Sequence, residues 1–448
     1  MKDSRIEEVK ALLHGGDVAG AGRLLAVLHP SDTARVLEGI EQQRALEIFR
    51  SFAPEFASEV LLELDERLRK AVLSSIPETT LVEVVEEMET DDAADVISGL
   101  PSAEARKVLD GIDWKESIHV QKLLKYPDDT AGGKMQAELV SVVEDATVEE
   151  TIEEVRRKSD EVENISSVFV VDGEGRLVGA VPLTKLIFAS AGDAVRSVAD
   201  TGPVKVSTDV DQEEVARMFQ RYDLLSMPVV DGENRLVGRI TIDDVVDVIE
   251  EEIFEDFYRM ASLNTGERAL DPPGRSFGMR SPWLLLNLGT AFIAASVVKL
   301  FEGTIESMVM LAVLMPVVAG LGGNAATQTI TVVVRGFALG EIGMANARKL
   351  LIKEVMVGLG NGLLVGAVAA LFACLIGASF MVGVLLFLAM TASLVVAGFS
   401  GAVIPLILKW LNADPALSAS VFVTACTDVG GFFTLLGLAA LFMKAGWL

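Results

Sequence analysis

Five long apolar runs toward the C-terminal end constrain this chain more than any other feature. They cover about residues 282–301, 305–334, 350–377, 380–411 and 417–443. Each run is long enough to cross a bilayer as a helix, and residues 276–448 hold only eight Lys or Arg and six Asp or Glu. We therefore expect a multidomain membrane protein whose residues 276–448 form an all-α transmembrane domain of five helices.

The part before these runs is strongly acidic. Residues 1–275 hold 30 basic and 58 acidic residues, a net charge of −28. This charge argues against nucleic acid as a partner, because phosphate binding needs a positive surface, and it favours divalent cations. A surface that only aids solubility is the alternative. Both cysteines lie in apolar runs and the three histidines, including His14, are scattered, which indicates neither a zinc site nor an enzyme.

Basic residues predict how the chain lies in the membrane. Arg275 and Arg280 precede the first run, and Arg335, Arg348 and Lys349 follow the second. Cytoplasmic loops carry such an excess, so we expect a cytoplasmic N-terminus and an outside C-terminus in the cell (inner) membrane. The start of the chain lacks the apolar region of a signal peptide. Five helices are few for a closed pore, and two copies of the chain would enclose one more easily, which favours a homodimer.

Residues 1–135 contain an internal repeat of 24 residues. The equivalent segments open at Leu28-His-Pro30, Phe52-Ala-Pro54, Ile76-Pro77 and Leu100-Pro101. Apolar residues recur at i, i+3 and i+4 in each repeat, which predicts pairs of short amphipathic helices stacked in a small superhelix. Acidic residues crowd positions 86–95, where a solvated helix face is the simplest interpretation.

Residues 136–242 contain a second repeat, with one copy over 136–196 and the other over 197–242. The sequence from Val170 to Gly179 recurs from Val229 to Gly238. The Asp-Gly pair between two β-rich runs predicts a hairpin, and a helix follows it. The pattern resembles a tandem α/β pair of CBS modules (a Bateman pair), which sense small ligands.

The second copy has a candidate nucleotide site. Thr241 and Asp244 follow Gly238 at the spacing with which CBS modules often hold an adenosine nucleotide, such as ATP, by its ribose. The first copy has Pro182 and Lys185 at the equivalent positions. The resemblance therefore implies one nucleotide site at most.

Residues 243–275 connect the acidic part to the apolar runs. Eight acids lie between Asp243 and Asp256, on a segment whose apolar residues recur at helical spacing. Like charges three and four residues apart destabilise a bare helix, and a divalent cation would relieve this repulsion. A linker with the composition of a loop follows, from Asn264 to Gly274.

Asp428 is the only charged residue in the last apolar run. A carboxylate at bilayer depth costs about 3 kcal/mol on insertion scales. Such a residue is a candidate functional group that faces a cavity, an ion or a partner. A protonated Asp428 that is bonded to a neighbouring helix is the alternative.

The second apolar run is interrupted by helix-breaking residues. Pro316 and three glycines, among them Gly322 and Gly323, predict a break in this helix, whose freed carbonyls would line protein or water. Asn324 and its neighbours add further oxygens, and hard oxygen ligands suit Mg²⁺ or Ca²⁺. A single carboxylate fits Mg²⁺, which keeps most of its waters. Close helix packing through small residues is the alternative.

The order of helical superhelix, CBS pair, acidic connector and five spans resembles the MgtE family of magnesium channels and transporters. The motifs that carry this resemblance are Pro316…Gly322-Gly-Asn324, Thr427-Asp428-Val-Gly430, Tyr126-Pro-Asp-Asp-Thr-Ala-Gly132-Gly133 and Asp414-Pro-Ala-Leu417. The resemblance implies a homodimer whose ion path follows the two-fold axis, where Asp428 holds hydrated Mg²⁺. It implies an ion path that comprises Asp428, Gly322, Gly323, Asn324, Thr327, Gln328, Ser420, Thr424 and Gly431.

The family also closes its own pore with Mg²⁺. The ions bridge the helical domain, the CBS pair and the connector, which is called the plug helix. The matching positions for regulatory Mg²⁺ are Glu59, Asp91, Gly133 (through its carbonyl), Asp211, Glu213, Asp223, Asp244, Asp247, Glu252, Glu255, Asp256 and Asp414.

These observations predict a magnesium importer that opens when cytosolic Mg²⁺ is scarce. Repulsion within the acidic part would separate its domains, and bound Mg²⁺ would restore the closed state. Two other functions stay open at this point. One is a proton-coupled transporter with Asp428 as the proton carrier, and the other is a nucleotide-regulated carrier of another solute.

Overall fold

The computed structural model describes residues 8–9, 11–13, 15–159, 161–269, 271–411, 413–414 and 419–448. His14 and the Pro-Ala-Leu417 part of the motif that begins at Asp414 lie outside these residues. The chain divides into two compact units, residues 1–249 and residues 250–448.

The first unit begins with the predicted helical repeats. Nine helices are described between residues 18 and 123: α1 (Val18–Leu25), α2 (Pro30–Glu38), α3 (Gln42–Phe49), α4 (Pro54–Glu63), α5 (Glu66–Leu73), α6 (Glu78–Glu86), α7 (Thr90–Ser98), α8 (Ser102–Gly111) and α9 (Trp114–Leu123).

The repeat of 24 residues sets where these helices begin. Helices α2, α4, α6 and α8 start 24 residues apart, and so do α3, α5, α7 and α9. Pro30 and Pro54 occupy the first position of their helices, where the missing N–H of proline costs nothing. Equivalent apolar residues such as Val36, Val60 and Val84 form one continuous core. The predicted stack of amphipathic helix pairs is therefore confirmed.

Two similar α/β modules follow in the same unit. The first comprises β1 (Ser141–Val143), α10 (Val148–Lys158), β2 (Ser167–Val171), β3 (Leu177–Pro182), α11 (Leu183–Phe188) and α12 (Val195–Val198). The second comprises β4 (Val206–Ser207), α13 (Gln212–Tyr222), β5 (Ser226–Val230), β6 (Leu236–Thr241) and the start of α14 (Ile242–Met260).

Each module has a three-stranded sheet with the predicted hairpin. The strand orders are β1-β2-β3 and β4-β5-β6, with the first pair parallel and the second antiparallel. Gly175 and Asn234 occupy the same turn position with φ of 79° and 63°, which only glycine and a few polar residues adopt readily. The two turns bond each other, since Leu177 donates to the Asn234 carbonyl and Leu236 to that of Gly175. The two repeats therefore form one pair.

The predicted connector is one helix. Helix α14 begins at Ile242, directly after β6, and runs to Met260. The acids of the connector therefore lie on helix rather than loop, with Asp244 in its first turn and Glu255 in its second half.

The second unit contains five helices that are long and apolar enough to cross a membrane. They are α15 (Pro273–Leu300), α17 (Met310–Ala338), α18 (Ala347–Leu375), α19 (Phe380–Trp410) and α20 (Ala419–Lys444), with the short α16 (Glu302–Ser307) after the first. These match the five predicted spans, although the predicted start of the fifth span, Leu417, lies outside the described residues.

The predicted break in the second span is wrong. Helix α17 is continuous from Met310 to Ala338, with Pro316 inside it. A continuous helix keeps backbone groups bonded where no water can replace them. Gly322 instead allows close packing, while a Cβ at Gly320 or Gly323 would meet nothing within 4 Å. The alternative of small-residue packing therefore describes Gly322.

Candidate functional site

Asp428 lies in the first half of α20 and is partly buried. Thr424 and Gly431 lie four residues before it and three after it, so the three positions share one helix face. Thr427 is fully buried, and its hydroxyl donates to the Thr424 carbonyl at 2.9 Å. The fold thus places a carboxylate beside small and hydroxyl-bearing residues in an otherwise apolar helix.

Three helices meet beside Asp428. A Cβ on Gly322 would lie 2.9 Å from Ser393 Oγ of α19 and 3.8 Å from Thr427 Cβ of α20. A Cβ on Gly431 would lie 3.4 Å from the same Ser393 Oγ. The structure therefore brings together Gly322 of the α17 glycine motif and the Thr427–Gly431 part of α20.

Ser393 is a part of this junction that the sequence did not reveal. Its hydroxyl is fully buried and has no hydrogen-bond partner among the described residues. A buried hydroxyl normally has a hydrogen-bond partner. Ser393 therefore places a polar group without one where α17, α19 and α20 meet. Nothing in the apolar pattern around Ser393 distinguishes it from other small residues of α19.

The remaining predicted ion-path residues differ in their surroundings. Asn324, Thr327, Gln328 and Thr424 are exposed on this chain. The Thr327 hydroxyl donates to the Gly323 carbonyl at 3.0 Å. Ser420 instead contacts Ser262, with 3.0 Å between their hydroxyl oxygens. The exposed polar face of α17 needs water, an ion or a partner at membrane depth.

Glu354 is a buried charge of α18 that the sequence interpretation overlooked. It is 3 % exposed. Its carboxylate accepts from Lys353 at 2.6 Å and from Thr329 at 3.4 Å. A cavity of about 210 Å³, which Gln328 and Asn361 also line, lies beside it. Glu354 follows Lys353 near the start of the third apolar run, and this position in the sequence does not indicate burial.

A second group of acids lies in the first unit. Glu89, Asp91 and Asp92, at the start of α7, lie close to Asp244, in the first turn of α14. Burial, followed by the negative charges around each group, raises the pKa of Asp91 well above its usual range. Burial likewise raises the pKa of Glu89 to about 8, of Asp92 to about 7 and of Asp244 to about 6. We name these four residues the acid cluster.

Neighbouring side chains satisfy part of the acid cluster. The Gln136 amide donates to Glu89 at 2.7 Å and to Asp244 at 3.3 Å. The Thr241 hydroxyl donates to Asp244 at 2.5 Å. Arg239, which is 2 % exposed, lies 3.8 Å from Glu89. The positive charge of Arg69 also acts on Asp92, but two arginines do not balance four carboxylates that are shielded from water.

Several oxygens of this region accept no hydrogen bond from the described part of the chain, although one of them, Glu89 Oε1, lies 3.8 Å from the Arg239 guanidinium. Glu89 Oε1, Asp91 Oδ1 and Gln136 Oε1 are buried and have no hydrogen-bond partner among the described residues. Carboxylate and amide oxygens that accept no hydrogen bond fit a hard cation. No three Asp, Glu, His or Cys side chains in the described ranges converge as a complete ligand set, so a cation would keep water ligands, as Mg²⁺ does. The donors present fit Mg²⁺.

Two predicted regulatory residues, Asp91 and Asp244, therefore lie in the acid cluster. Glu89, Asp92 and Gln136 were missed, because only the fold brings α7, the segment after α9 and α14 together. Their signal in the sequence was the crowding of acids at positions 86–95, which favoured a solvated face.

The other predicted regulatory positions in the first unit have different surroundings. Glu59 is exposed. Asp211 caps α13, and Glu213 pairs with Arg217. Asp223 ends α13 with a left-handed φ of 51°. A Cβ on Gly133 would lie 2.4 Å from the Pro127 carbonyl, so the chain turns tightly there.

Two of the predicted regulatory positions in the second unit, Glu255 and Asp414, contact an arginine. Arg259, near the end of α14, forms ion pairs with both Glu255 and Asp414. Two predicted metal ligands therefore share a guanidinium in this structure. Asp247, on the first unit, and Glu252 and Asp256 lie on the same helix, α14.

Comparison with known proteins agrees with this arrangement. A family model described as MgtE, divalent cation transporter, matches residues 315–438. The model of the MgtE intracellular N domain matches residues 28–129, and the CBS domain matches 132–192 and 195–251. The magnesium transporter MgtE of Thermus thermophilus is 32 % identical over 99 % of this chain and 100 % of its own. This chain belongs to the MgtE family of magnesium transporters.

A second MgtE relative and a solved MgtE structure are also similar to this chain. The magnesium transporter MgtE of Bacillus subtilis is 26 % identical, covering 99 % of this chain and 98 % of its own. The crystal structure of the cytosolic domain of the Mg²⁺ channel MgtE in complex with ATP is 35 % identical, with a TM-score of 0.52, over 54 % of this chain and 99 % of that one. These comparisons confirm the expected family. They also confirm the helical domain, the CBS pair and the five apolar helices, and a multi-pass transporter rather than an enzyme.

Proposed function

We propose that this MgtE protein is a homodimeric channel that imports Mg²⁺ across the cell membrane and closes when cytosolic Mg²⁺ binds its acidic segments. Relatives along the whole chain are named magnesium transporters. The observation that supports the regulated part is the acid cluster, in which buried oxygens of Glu89 and Asp91 accept no hydrogen bond within the described ranges. The N-terminus is cytoplasmic in this proposal, as the basic loops predict.

Asp428 holds the ion in the membrane. It is the one acid of α20, beside the junction of Gly322, Ser393 and Thr427. A hydrated Mg²⁺ needs few protein ligands, and a carboxylate among small residues leaves room for its waters. Asp428 would therefore act as a point of negative charge that attracts hydrated Mg²⁺.

A second copy of the chain completes the path. Asn324, Thr327, Gln328 and Thr424 are exposed polar residues on membrane helices, and such residues normally face a partner or a water-filled cavity. Two copies would place two Asp428 carboxylates near one axis. Close carboxylates repel unless a cation lies between them, which favours divalent-ion binding.

The acid cluster works as the sensor. Burial and neighbouring negative charges raise the pKa values of Glu89 and Asp92, so without Mg²⁺ these carboxylates would stay together only by taking up protons. Mg²⁺ binds the ionised form and therefore favours the assembled state of the acidic part. A ligand shifts such an equilibrium by its difference in affinity for the two states. Helix α14 would carry the change to the pore as the plug helix.

The second CBS module is proposed to bind an adenosine nucleotide through Thr241 and Asp244. A solved relative is described in complex with ATP, and Thr241 already bonds Asp244 at 2.5 Å. The nucleotide would therefore tune the gate rather than supply energy.

Mg²⁺ uptake into proteoliposomes tests this function. We expect uptake to fall as Mg²⁺ on the side of the acidic domains rises into the millimolar range. Asp91→Asn combined with Asp244→Asn should shift this closure to higher Mg²⁺, whereas Glu47→Gln, which removes an exposed acid of α3, should not. Uptake that ignores Mg²⁺ on that side would refute the gate, and uptake that follows a pH gradient would favour a proton-coupled transporter.

A further inference from the structure

The end of the connector helix is fastened to the transmembrane helices within the second unit. Arg259 pairs with Asp414, which precedes α20. Ser262 contacts Ser420, in the first turn of α20, at 3.0 Å. Met260 packs against a cluster that includes Ala326 of α17 and Val423 of α20. Polar and apolar contacts thus meet around the start of α20, where Ser420 and Val423 lie eight and five residues before Asp428.

Among the described residues that make the contacts above, Arg259 is the only basic one. Its guanidinium lies between Glu255, on its own helix, and Asp414. The three side chains are 36 %, 28 % and 24 % exposed, respectively. A guanidinium presents several donors in one plane, so it can hold two carboxylates at once. Partial shielding from water makes such a pair stronger than one on the open surface.

The sequence predicted Glu255 and Asp414 as ligands of regulatory Mg²⁺. The chain instead supplies a cation of its own between them. Without that cation, two partly shielded carboxylates would face each other, and like charges at close range repel. Contact between the connector and α20 therefore does not depend on a metal ion at this point.

We propose that Arg259 is a positioning residue of the gate, an internal latch that holds the connector helix on the transmembrane helices without a bound metal ion. The inference rests on the proposed function, because the latch matters only if the connector closes the pore. The latch sets how much Mg²⁺ is needed for closure: it supplies part of the closing free energy, and Mg²⁺ at other acids supplies the rest.

Loss of the latch has two consequences. The connector separates from α20 more often when Mg²⁺ is absent, so conduction in Mg²⁺-free solution rises. Glu255 and Asp414 also become available to Mg²⁺, so added Mg²⁺ restores the contact. A residue that merely stabilised the fold would lose both the contact and its recovery.

A disulfide reporter tests the latch directly. Ser262→Cys and Ser420→Cys are introduced into the full chain after Cys374→Ser and Cys426→Ser, since the two hydroxyls lie close enough for a disulfide. The rate of disulfide formation is measured in EDTA by peptide mapping. Arg259→Gln should slow it about fivefold, the effect of losing roughly 1 kcal/mol of ion pairing. Adding Mg²⁺ should restore the rate.

Matched variants decide the outcome. Arg275→Gln removes the same charge from an arginine that pairs with Asp271 at 3.4 Å, and it should leave the rate unchanged. Exchanging the charges with Arg259→Asp and Asp414→Arg should recover it. Equal rates for Arg259→Gln and Arg275→Gln, or no recovery in the exchange variant, would overturn the latch. Cross-linking in EDTA reports the contact whether or not the chain conducts, so failure of the latch and failure of the Mg²⁺ gate are distinguishable.

Discussion

Thr241 donates its hydroxyl to Asp244 across 2.5 Å, while the charge of Asp244 raises the pKa of Asp91 and Asp92. One carboxylate therefore belongs both to the candidate nucleotide site and to the acid cluster. A ligand that binds Asp244 in the nucleotide site therefore changes the charge that Asp244 presents to the acid cluster, and the reverse also holds. The two proposed ligands of the acidic part are thus linked through a single residue.

This sharing predicts which variants affect nucleotide binding. Thr241→Val and Asp244→Asn should each weaken ATP binding to residues 1–260 about tenfold, the scale of one lost charged hydrogen bond. Asp91→Asn should leave ATP affinity within about twofold but weaken Mg²⁺ binding. Titration calorimetry measures both. Thr184→Val, in the first turn of α11 in the first module, is the control, and an equal loss of ATP affinity there would contradict the assignment to the second module.

The acid cluster predicts an unusual pH dependence of stability. The pKa values of Glu89, Asp92 and Asp244 are raised in the folded state to about 8, 7 and 6, from ordinary values of 4.5, 3.8 and 3.8. The folded state therefore holds more protons, and its free energy of unfolding falls as the pH rises through this range. In EDTA, the thermal midpoint of residues 1–260 should be lower at pH 8.5 than at pH 5.5.

Mg²⁺ should remove this decline, because it binds the ionised carboxylates. Glu89→Gln together with Asp92→Asn should flatten the EDTA profile as well. Carboxyls with a lowered pKa, such as Asp172, titrate below this window and do not mask the effect. A midpoint that rises between pH 5.5 and 8.5 in EDTA would show that the cluster is ionised and satisfied by the protein alone.

The packing at Gly322 predicts a specific pair of compensating substitutions. Gly322→Ala would place a methyl group 2.9 Å from Ser393 Oγ, and overpacking of this kind costs about 1–3 kcal/mol. Adding Ser393→Ala should recover most of the thermal midpoint in detergent. Gly323→Ala, which meets open space, is the control on the same helix. If both alanine variants behave alike, the junction is looser than the structure indicates.

The sequence predicted elements well where a period or a run encoded them. The repeat of 24 residues located the helix starts at Pro30 and Pro54, and the Asp-Gly pairs located both hairpins. The five apolar runs located the membrane helices because length and hydropathy alone define a span. Asp428 stood out for the same reason, as a single charge in an apolar run.

Long-range contacts were beyond such patterns. Gln136 and Asp244 lie 108 positions apart, and only the fold shows that they share a buried site with Glu89. The burial of Glu354 and Ser393 likewise depends on which helices pack together. The helix break at Pro316 was predicted from local propensity, and the membrane environment overrode it by favouring an unbroken hydrogen-bond ladder.

Mg²⁺ current across a planar bilayer tests whether Asp428 holds the ion in the pore. The wild-type protein should carry Mg²⁺ current when the solution on the side of its acidic domains is free of Mg²⁺. Asp428→Asn keeps the shape of the side chain but removes its charge, and it should lower that current more than about tenfold, since a pore charge that attracts the ion is lost. Glu306→Gln, an exposed acid of α16, should conduct normally. Undiminished Mg²⁺ current through folded Asp428→Asn protein would contradict the account.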